Sequence, residues 1–562
     1  MTSDKKSVAV LAKIFVGKGL NDIVISPGSR NAPIIIAFAQ HPLIKAIRIV
    51  DERSAAFFAL GMAQQKKQTV AIACTSGTAA LNYAPAIAEA YYQKVPLLVL
   101  TADRPEGMID QGDGQTIRQK NVFANYIKKS FELPEELNTE DELMKAGAII
   151  NEAINLSMYP DCGPVHINLP FNEPIYNQVE DLSFDVSISG PEKITLGFSD
   201  AAIEDFAKRW NQYGKKLLIA GMMDHNPKLQ RVLKKIANDP SVVMLTETTS
   251  NLKDDCSCPC IDKVVNTISD DEAEHFKPEL LVTFGGPVIS KMVKTFIRKN
   301  KPIEHWNIDP VDFNMNSYQC LTDGISMDPL SFFERLFPLV QPKESIYAEI
   351  WADRDQRSEI RHDDFLKKCD YSDLKVFETL LKNIPEGSDL QMGNSTPVRY
   401  VQLFKPVRKF SYYSNRGTSG IDGTVSTAAG ACHSSKKPTT LIVGDLGFFY
   451  DSNALMNNYL HKNLRIIIIN NSGGGIFRFI PGPDTTSQLE DFFEVNHKWK
   501  AEYIAKNFDV PYYYACNHKE LEDALPHFYK PQKNNRPAIL EIKTPNKKNA
   551  GILRGYFSFL KR

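Results

Sequence analysis

The sequence predicts an α/β protein of three domains, each a mostly parallel sheet flanked by helices. Three observations lead there. Short, continuously apolar runs recur along the 562 residues, and such strands are buried on both faces, as in parallel sheets. Segments of helical character lie between them, the alternation of βαβ units. The chain is also too long for one core, and two to four domains is the expectation from its length.

In the first third, Asp22–Ser26 reads as a strand running into the turn Pro27-Gly28-Ser29-Arg30. Ala46–Val50 is a second strand. Thr69–Cys74 is a third, leading into Thr75-Ser76-Gly77-Thr78, and Val95–Thr101 is a fourth. Arg53–Lys66 and Ala79–Gln93 read as the helices between them, and Val165–Leu169 as another strand of the same unit. Tyr176–Leu196 is polar, contains Gly190-Pro191, and reads as a linker. The middle block has strand-like runs at Lys216–Ala220, Val242–Leu245, Leu280–Phe284 and Glu304–Ile308, with a second linker around Pro338–Ser345. The last third repeats the arrangement, with strands at Gln391–Asn394, Phe410–Ser414, Thr439–Gly444, Leu464–Asn470 and Ala538–Lys543. Helices are expected there at Thr424–Cys432 and Ser452–Leu460. The domains expected are therefore 1–180, 195–340 and 346–562. The first and last thirds share no alignable repeat, so any kinship between them would be structural.

Composition narrows the function classes. The chain is 43% apolar and 24% charged, ordinary for a globular protein. Its formal net charge of −1 supplies no global field for nucleic acid or an anionic membrane. No apolar stretch approaches the ~20 residues of a membrane span, and the polar Met1–Lys6 start lacks the apolar core of a signal peptide. A cytoplasmic enzyme is expected. Cysteines are scattered apart from Cys256, Cys258 and Cys260, whose C-x-C-x-C spacing is not that of a zinc site. A loop that carries thiols is the simpler reading.

The chemistry begins at two strand ends. Gly444-Asp445-Leu446 closes one apolar run, and Asn470-Asn471-Ser472-Gly473 closes the next, with Asn471 placed 26 positions after Asp445. An Asp and an Asn at successive strand ends, followed by a Gly-rich turn, can hold one Mg²⁺. That cation takes oxygen ligands at about 2.0–2.1 Å and shares them with phosphates. The glycines alone would be a weak signal, an ordinary loose turn. The spacing resembles the diphosphate anchor of thiamine-diphosphate (ThDP) enzymes, which also need a carboxyl against N1′ of the aminopyrimidine in an apolar setting. Glu52 fits, between the strand Ala46–Val50 and the mostly apolar helix opened by Arg53. Taken alone, Glu52 would be an acid favoured by a helix N-terminus. Beside the Asp445–Asn471 pair, the cofactor reading prevails.

Six blocks occur in order: Ser26-Pro27-Gly28-Ser29-Arg30, Asp51-Glu52-Arg53, Thr75-Ser76-Gly77-Thr78-Ala79, Leu100-Thr101-Ala102-Asp103-Arg104-Pro105, Ser414-Asn415-Arg416-Gly417 through Gly423, and Asn470 through Phe477. Together they resemble the 2-succinyl-5-enolpyruvyl-6-hydroxy-3-cyclohexene-1-carboxylate (SEPHCHC) synthase family of menaquinone biosynthesis. The resemblance covers nearly the whole chain and is weakest in the middle. It implies a ThDP-binding fold, with a pyrimidine domain and a diphosphate domain around a central one. It also implies a reaction: decarboxylation of 2-oxoglutarate, then 1,4-addition of the resulting carbanion to isochorismate.

The same resemblance implies roles. Glu52 would be catalytic. Glu52, Thr78, Ser395, Gly420, Ile421, Asp445, Leu446, Asn471, Gly473, Gly474 and Ile476 would bind ThDP, with Ile421 propping it in a bent shape. Asp445, Asn471 and the Gly473 carbonyl would hold Mg²⁺ or Mn²⁺. Ser395 and Arg399 would face the 2-oxoglutarate-derived part, and Arg30, Arg104, Gln115 and Lys291 would face isochorismate. Arg416 completes the cationic set, since guanidinium forks bind carboxylates bidentately. Ile476 and Phe477 would wall the site against water. Met292 stands where some members carry a second cation, and Lys294 is a candidate substitute. Glu52 and Asp445 would meet from different subunits, which makes a homodimer the minimum, and the family suggests a homotetramer. Two alternatives are another ThDP-dependent 2-oxoacid decarboxylase or carboligase, and a catalytically silent ThDP- or metabolite-binding regulator. The arginine set argues against the first and Glu52 against the second.

Overall fold

The computed structural model describes the chain except residues 183, 192–197, 254–256 and 533–535. Three separate sheets carry the architecture. The first contains β1 (Asp22–Ile25), β2 (Lys45–Arg48), β3 (Val70–Cys74), β4 (Leu97–Asp103), β5 (Ser130–Glu132) and β6 (Val165–Pro170), in the order β2-β1-β3-β4-β6-β5. The central sheet contains β7 (Lys216–Ala220), β8 (Val242–Thr246), β9 (Leu280–Phe284), β10 (Glu304–Ile308) and β11 (Asp323–Ile325), in the order β8-β7-β9-β10-β11. The last contains β12 (Asp389–Met392), β13 (Ser411–Tyr413), β14 (Thr439–Gly444), β15 (Leu464–Asn470), β16 (Tyr512–Ala515) and β17 (Ala538–Lys543), in the order β13-β12-β14-β15-β17-β16. Every pairing within these three sheets is parallel. The first and last sheets thus have the same topology, second-first-third-fourth-sixth-fifth. Their kinship is structural, as the lack of an alignable repeat implies.

The helices that matter for the site are α1 (Glu52–Lys66), α2 (Ala84–Gln93), α3 (Lys291–Lys299), α4 (Tyr347–Lys368), α5 (Thr396–Val401), α6 (Thr424–Ser435), α7 (Asp445–Tyr450) and α8 (Asn546–Lys561). Two expectations need correction. The single helix Ala79–Gln93 is two, Thr78–Asn82 and α2, because Pro85 has no N–H to continue the ladder. Ser452–Leu460 is not a helix beyond a short 3₁₀ turn at Ser452–Leu455. Asn457 explains why: its amide donates to the Ala454 carbonyl at 2.7 Å, and its oxygen accepts from the Tyr459 N–H at 2.8 Å. Such side-chain bonds compete with helix bonds. Strands β5, β11 and β16 were not anticipated. The linker expected at Tyr176–Leu196 falls partly outside the described residues, at 183 and 192–196, and so does Cys256. Cys260 is buried and Cys258 half-buried, and desolvation pushes both thiols up, which disfavours the thiolate a metal would need.

The first and last domains pack through α1 and α6. A Cβ at Gly430 would lie 1.9 Å from the Phe58 carbonyl oxygen, and one at Gly61 2.0 Å from that of Thr427. Only glycine lets the two backbones come so close. Around this crossing, Phe57, Phe58, Leu60, Val425 and Ala429 join one core with strands of both sheets. α4 ties the central and last domains: the Tyr347 hydroxyl donates to the Phe276 carbonyl at 2.9 Å, and His362 pairs with the Tyr556 hydroxyl at 2.8 Å. Gly430→Val should destabilise the chain by about 1–3 kcal/mol through overpacking. A lowered unfolding temperature by circular dichroism is the expected reading, and an unchanged one would refute the close crossing.

Candidate functional site

Ligands in open α/β sheets sit beyond the carboxyl ends of the strands, where the strand order reverses. In the last sheet that point lies between β12 and β14. Asn394 and Ser395 follow β12, Asn415 and Arg416 follow β13, Asp445 follows β14, and Asn471 follows β15. Parallel register therefore brings four sequence-distant segments to one edge.

Asp445 is 3% exposed. One of its carboxylate oxygens accepts from the Leu446 N–H at 2.7 Å, and the other from the Gly473 N–H at 2.9 Å. The latter oxygen also faces His497 Nε2 at 3.1 Å. This carboxylate locks the turn after β15 onto the end of β14. Gly473 has φ +143°, and a Cβ there would lie 2.4 Å from the Glu494 carbonyl oxygen, so the turn requires glycine. Asn471 Oδ1 is buried with no hydrogen-bond partner. The Asn471 side chain also bonds Asp373, whose buried carboxyl is pushed up to about 6, chiefly by burial. An orphaned amide oxygen beside a buried carboxylate fits a hard cation. Asp445, Asn471 and the Gly473 carbonyl are thus residues able to hold Mg²⁺ with a diphosphate. Lys543, at the end of β17, donates to Ser472 Oγ and, at 3.2 Å, to Asn470 Oδ1, adding positive charge beside that turn.

Ile421 lies over α7: its Cβ is 3.8 Å from where a Gly447 Cβ would be. Gly420 is held by its carbonyl, which accepts from Asn394 Nδ2 at 2.7 Å. Leu446 is half-buried beside Asp445. Gly474 donates its N–H to the Glu494 carbonyl at 2.7 Å. Three serines at this edge, Ser395 (φ +74°), Ser419 (φ +65°) and Ser472 (φ +71°), lie in the left-handed region. Such strain persists only where the surroundings enforce it, commonly at functional sites.

A cavity of about 290 Å³ opens beside this edge, lined among others by Lys291, Met292, Arg399, Ile476, Phe479 and Asp262. Lys291 begins α3 in the central domain and Arg399 lies on α5, so two domains share the wall. Phe477 does not line it. Its ring packs on Phe493 at 5.6 Å, and Phe479 takes the wall position expected of it. Lys294 does not line it either, because its ammonium donates to the Val288 carbonyl at 2.9 Å. Met292 therefore leaves an apolar surface beside Lys291. Arg416 donates through Nη1 to Asn394 Oδ1 at 2.9 Å, and burial, with the charge of Arg399 next in weight, lowers its guanidinium from the usual value. The Nε atoms of Arg399 and Arg416 are both buried without a partner. Glu89 on α2 of the first domain grips the loop that carries Arg416. It accepts from the Gly417 N–H, the Thr418 N–H and Thr418 Oγ1, each at 2.7 Å.

The remaining expected residues stand at the carboxyl edge of the first sheet. Arg30 is buried, with Nη1 on the Phe171 carbonyl at 3.0 Å and an ion pair to Glu173 at 3.1 Å. Arg104 donates to the Gly114 carbonyl at 3.0 Å. Gln115 (φ +59°) abuts Gly77, and Thr78, the next residue, opens its short helix exposed. Glu52 begins α1 beside the N-cap Asp51, and burial raises its carboxyl above the ordinary range. Arg53 donates to the Tyr450 carbonyl at 2.7 Å, and Asn453 to Asp51 at 2.8 Å. Among the described residues, no hydrogen bond or ion pair joins Glu52, Arg30, Thr78, Arg104 or Gln115 to the set at the last sheet. Lys291, grouped in sequence with Arg30, Arg104 and Gln115, shares its cavity with Arg399 instead.

Sequence reasoning missed Asn394, Glu89, His497, Lys543 and Asp262. Asn394 was the most accessible of them, since it directly precedes Ser395 at a strand end. The others reach the edge from segments with no motif of their own.

Residues 5–122 match the family described as thiamine pyrophosphate enzyme, N-terminal TPP binding domain. Three proteins named 2-succinyl-5-enolpyruvyl-6-hydroxy-3-cyclohexene-1-carboxylate synthase are similar over nearly their full length. The one from Flavobacterium johnsoniae is 43% identical, over 98% of each chain. That from Christiangramia forsetii is 44% identical, over 97% of each. That from Porphyromonas gingivalis is 39% identical, over 99% of this chain and 98% of its own. At that identity and coverage, with the edge of the last sheet built as described, the chain belongs to the SEPHCHC synthase family of thiamine-diphosphate enzymes.

Proposed function

We propose that this enzyme decarboxylates 2-oxoglutarate and adds the resulting carbon nucleophile to isochorismate, giving SEPHCHC and CO₂ in menaquinone biosynthesis in the cytoplasm, with Mg²⁺ as the metal. The observation that carries the reading is the cavity shared by Lys291, Arg399 and Ile476 beside the Asp445–Asn471 edge. Cations and a dry wall stand together where an acidic substrate would meet the diphosphate anchor. ThDP, when bound, would supply the nucleophilic carbon and the electron sink for loss of CO₂. The part of the chain is orientation and charge. Glu52, its carboxyl raised by burial, would hold a proton at the aminopyrimidine N1′. Asp445 and Asn471 would fix the metal and diphosphate. Arg399, Arg416 and Ser395 would orient 2-oxoglutarate through its carboxylates. Ile476 and Phe479 would exclude water, so that the carbon nucleophile meets isochorismate before a proton.

The two residue sets support a shared site. In one chain, Glu52, Arg30, Arg104 and Gln115 ring the first sheet, and the metal and 2-oxoglutarate residues ring the last. Two copies related by a twofold axis would present each edge to the partner's other edge, giving two equivalent sites. We therefore infer a homodimer at least, with a homotetramer as two such pairs.

The decisive experiment supplies both substrates with ThDP and Mg²⁺ and identifies the adduct by mass. CO₂ release without an adduct would reduce the reading to a simple decarboxylase. Glu52→Gln should retain cofactor binding but lose about 10²–10⁴-fold in kcat; near-normal turnover would remove Glu52 from its role. Asp445→Ala should weaken ThDP binding in calorimetric titrations containing Mg²⁺, and an unaltered affinity would refute the metal assignment. Arg399→Ala should raise KM for 2-oxoglutarate by about 10–10²-fold, the worth of a charge-assisted bond, with ThDP affinity preserved. Equal loss of both would indicate misfolding.

A further inference from the structure

Glu89 is the one acid on α2 and is 1% exposed. A carboxyl group buried this deeply is costly unless its oxygens are taken up. Here two consecutive residues of the last domain take them up. One oxygen accepts from the Gly417 N–H at 2.7 Å, and the other from the Thr418 N–H and Thr418 Oγ1, each at 2.7 Å. Gln93 lies one helical turn further along the same face. Its amide donates to the Ser414 carbonyl at 2.9 Å, and its oxygen accepts from Gln64 of α1, also at 2.9 Å. The backbones approach as closely as the side chains. A Cβ at Gly417 would lie 2.5 Å from the Glu89 carbonyl oxygen and 3.0 Å from the Gln93 nitrogen. The first domain therefore pins the segment Ser414–Thr418 on both sides of Arg416.

The last domain holds the same residue by a single amide. Arg416 Nη1 donates to Asn394 Oδ1 at 2.9 Å, while Asn394 Nδ2 donates to the Asn415 carbonyl at 2.6 Å and the Gly420 carbonyl at 2.7 Å. Arg416 Nε is buried with no partner, so part of its fork stays available to a carboxylate. Where that fork points depends on the backbone beneath it, and α2 of another domain fixes that backbone.

We propose that Glu89, supported by Gln93, is a positioning residue for 2-oxoglutarate, setting from the first domain where the Arg416 guanidinium stands. The inference rests on the reading of Arg416 as a residue that orients 2-oxoglutarate. A substrate carboxylate bound by a fork tolerates little displacement of the fork. The loop is free to shift once its N–H groups lose their acceptors, and Arg416 shifts with it. Arg30, Arg104 and Gln115 have no hydrogen bond to this segment among the described residues, so isochorismate should not sense the change. The cofactor residues Gly420 and Ile421 keep their own tie, through Asn394.

Glu89→Gln is the sharpest probe, because it preserves size. An amide has one acceptor oxygen. Whichever side of the loop that oxygen serves, the NH₂ faces an N–H on the other, and half of the grip is lost. Steady-state kinetics of the holoenzyme should show KM for 2-oxoglutarate raised about tenfold, the loss of one charge-assisted bond, with KM for isochorismate within about twofold. ThDP affinity by calorimetry should be retained. A merely structural lesion would raise both KM values and weaken the cofactor as well, and that result would overturn the proposal, as would an unchanged KM for 2-oxoglutarate. A double-mutant cycle with Arg416→Ala sharpens the test. Once the guanidinium is gone, its placement no longer matters, so Glu89→Gln should add nothing to the loss already caused by Arg416→Ala. Multiplying losses would overturn the link to Arg416. Should Glu89→Gln fail to fold, Thr418→Val takes its place at an exposed residue. It removes only the hydroxyl bond to Glu89, and should raise KM for 2-oxoglutarate severalfold in the native background alone; no rise there overturns the proposal. Arg416→Ala with the native KM for 2-oxoglutarate would instead overturn the substrate reading at that arginine, a result distinct from any outcome at Glu89.

Discussion

Arg399 and Arg416 are half-buried cations that repel one another, and they must be offset by hydrogen-bond acceptors and fixed in place by their surroundings. That requirement at Arg399 and Arg416 organises the molecule. No single domain meets it. The last domain contributes Asn394, which accepts from Arg416. The first contributes Glu89, which grips the backbone just beyond Arg416. The central domain contributes Asp262, which lines the same cavity as Arg399. The close crossing of α1 and α6 holds the first two in place, and the Thr248–Gln402 pair seats the third. The central domain is therefore part of the site wall as well as a spacer between its neighbours.

The pair Asp445 and Asn471 obeys a different rule. Asp445 spends its oxygens on the Leu446 and Gly473 N–H groups and on His497, whereas Asn471 leaves its amide oxygen unpartnered. One residue fixes the geometry and the other keeps a ligand in reserve. The same strand order in the first and last sheets gives each an edge of the same kind. One edge carries Asp445 and Asn471 and the other carries Glu52. Pairing unlike edges from two copies is what such a duplicated topology makes possible.

Much of this was legible from residue order. The strands Lys216–Ala220, Leu280–Phe284, Glu304–Ile308, Thr439–Gly444, Leu464–Asn470 and Ala538–Lys543 have the bounds their apolar runs mark, because strands buried on both faces need unbroken apolar sequence. Strands β5, β11 and β16 escaped for the opposite reason. Ser130–Glu132 and Asp323–Ile325 are three residues each, too short for a pattern, and Tyr512–Ala515 lies at a sheet edge with three half-wet tyrosines. Ser452–Leu460 misled because Asn457 bonds the Ala454 carbonyl and the Tyr459 N–H in place of a helix ladder.

The site divides along the same line. Asp445, Asn471, Glu52 and the arginines sit at strand ends or helix starts, inside short motifs, so sequence by itself singled them out as candidates and identified the family the chain belongs to. It could not say that Lys291 would share a cavity with Arg399, that Phe479 rather than Phe477 would face that cavity, or that Lys294 would turn to the Val288 carbonyl. Nor could it find Glu89 and Asp262. A motif records which groups the chemistry needs near one another in the chain. The groups that hold them in place come from wherever packing brings an acceptor or a carboxylate, and only the folded arrangement of three domains decides that.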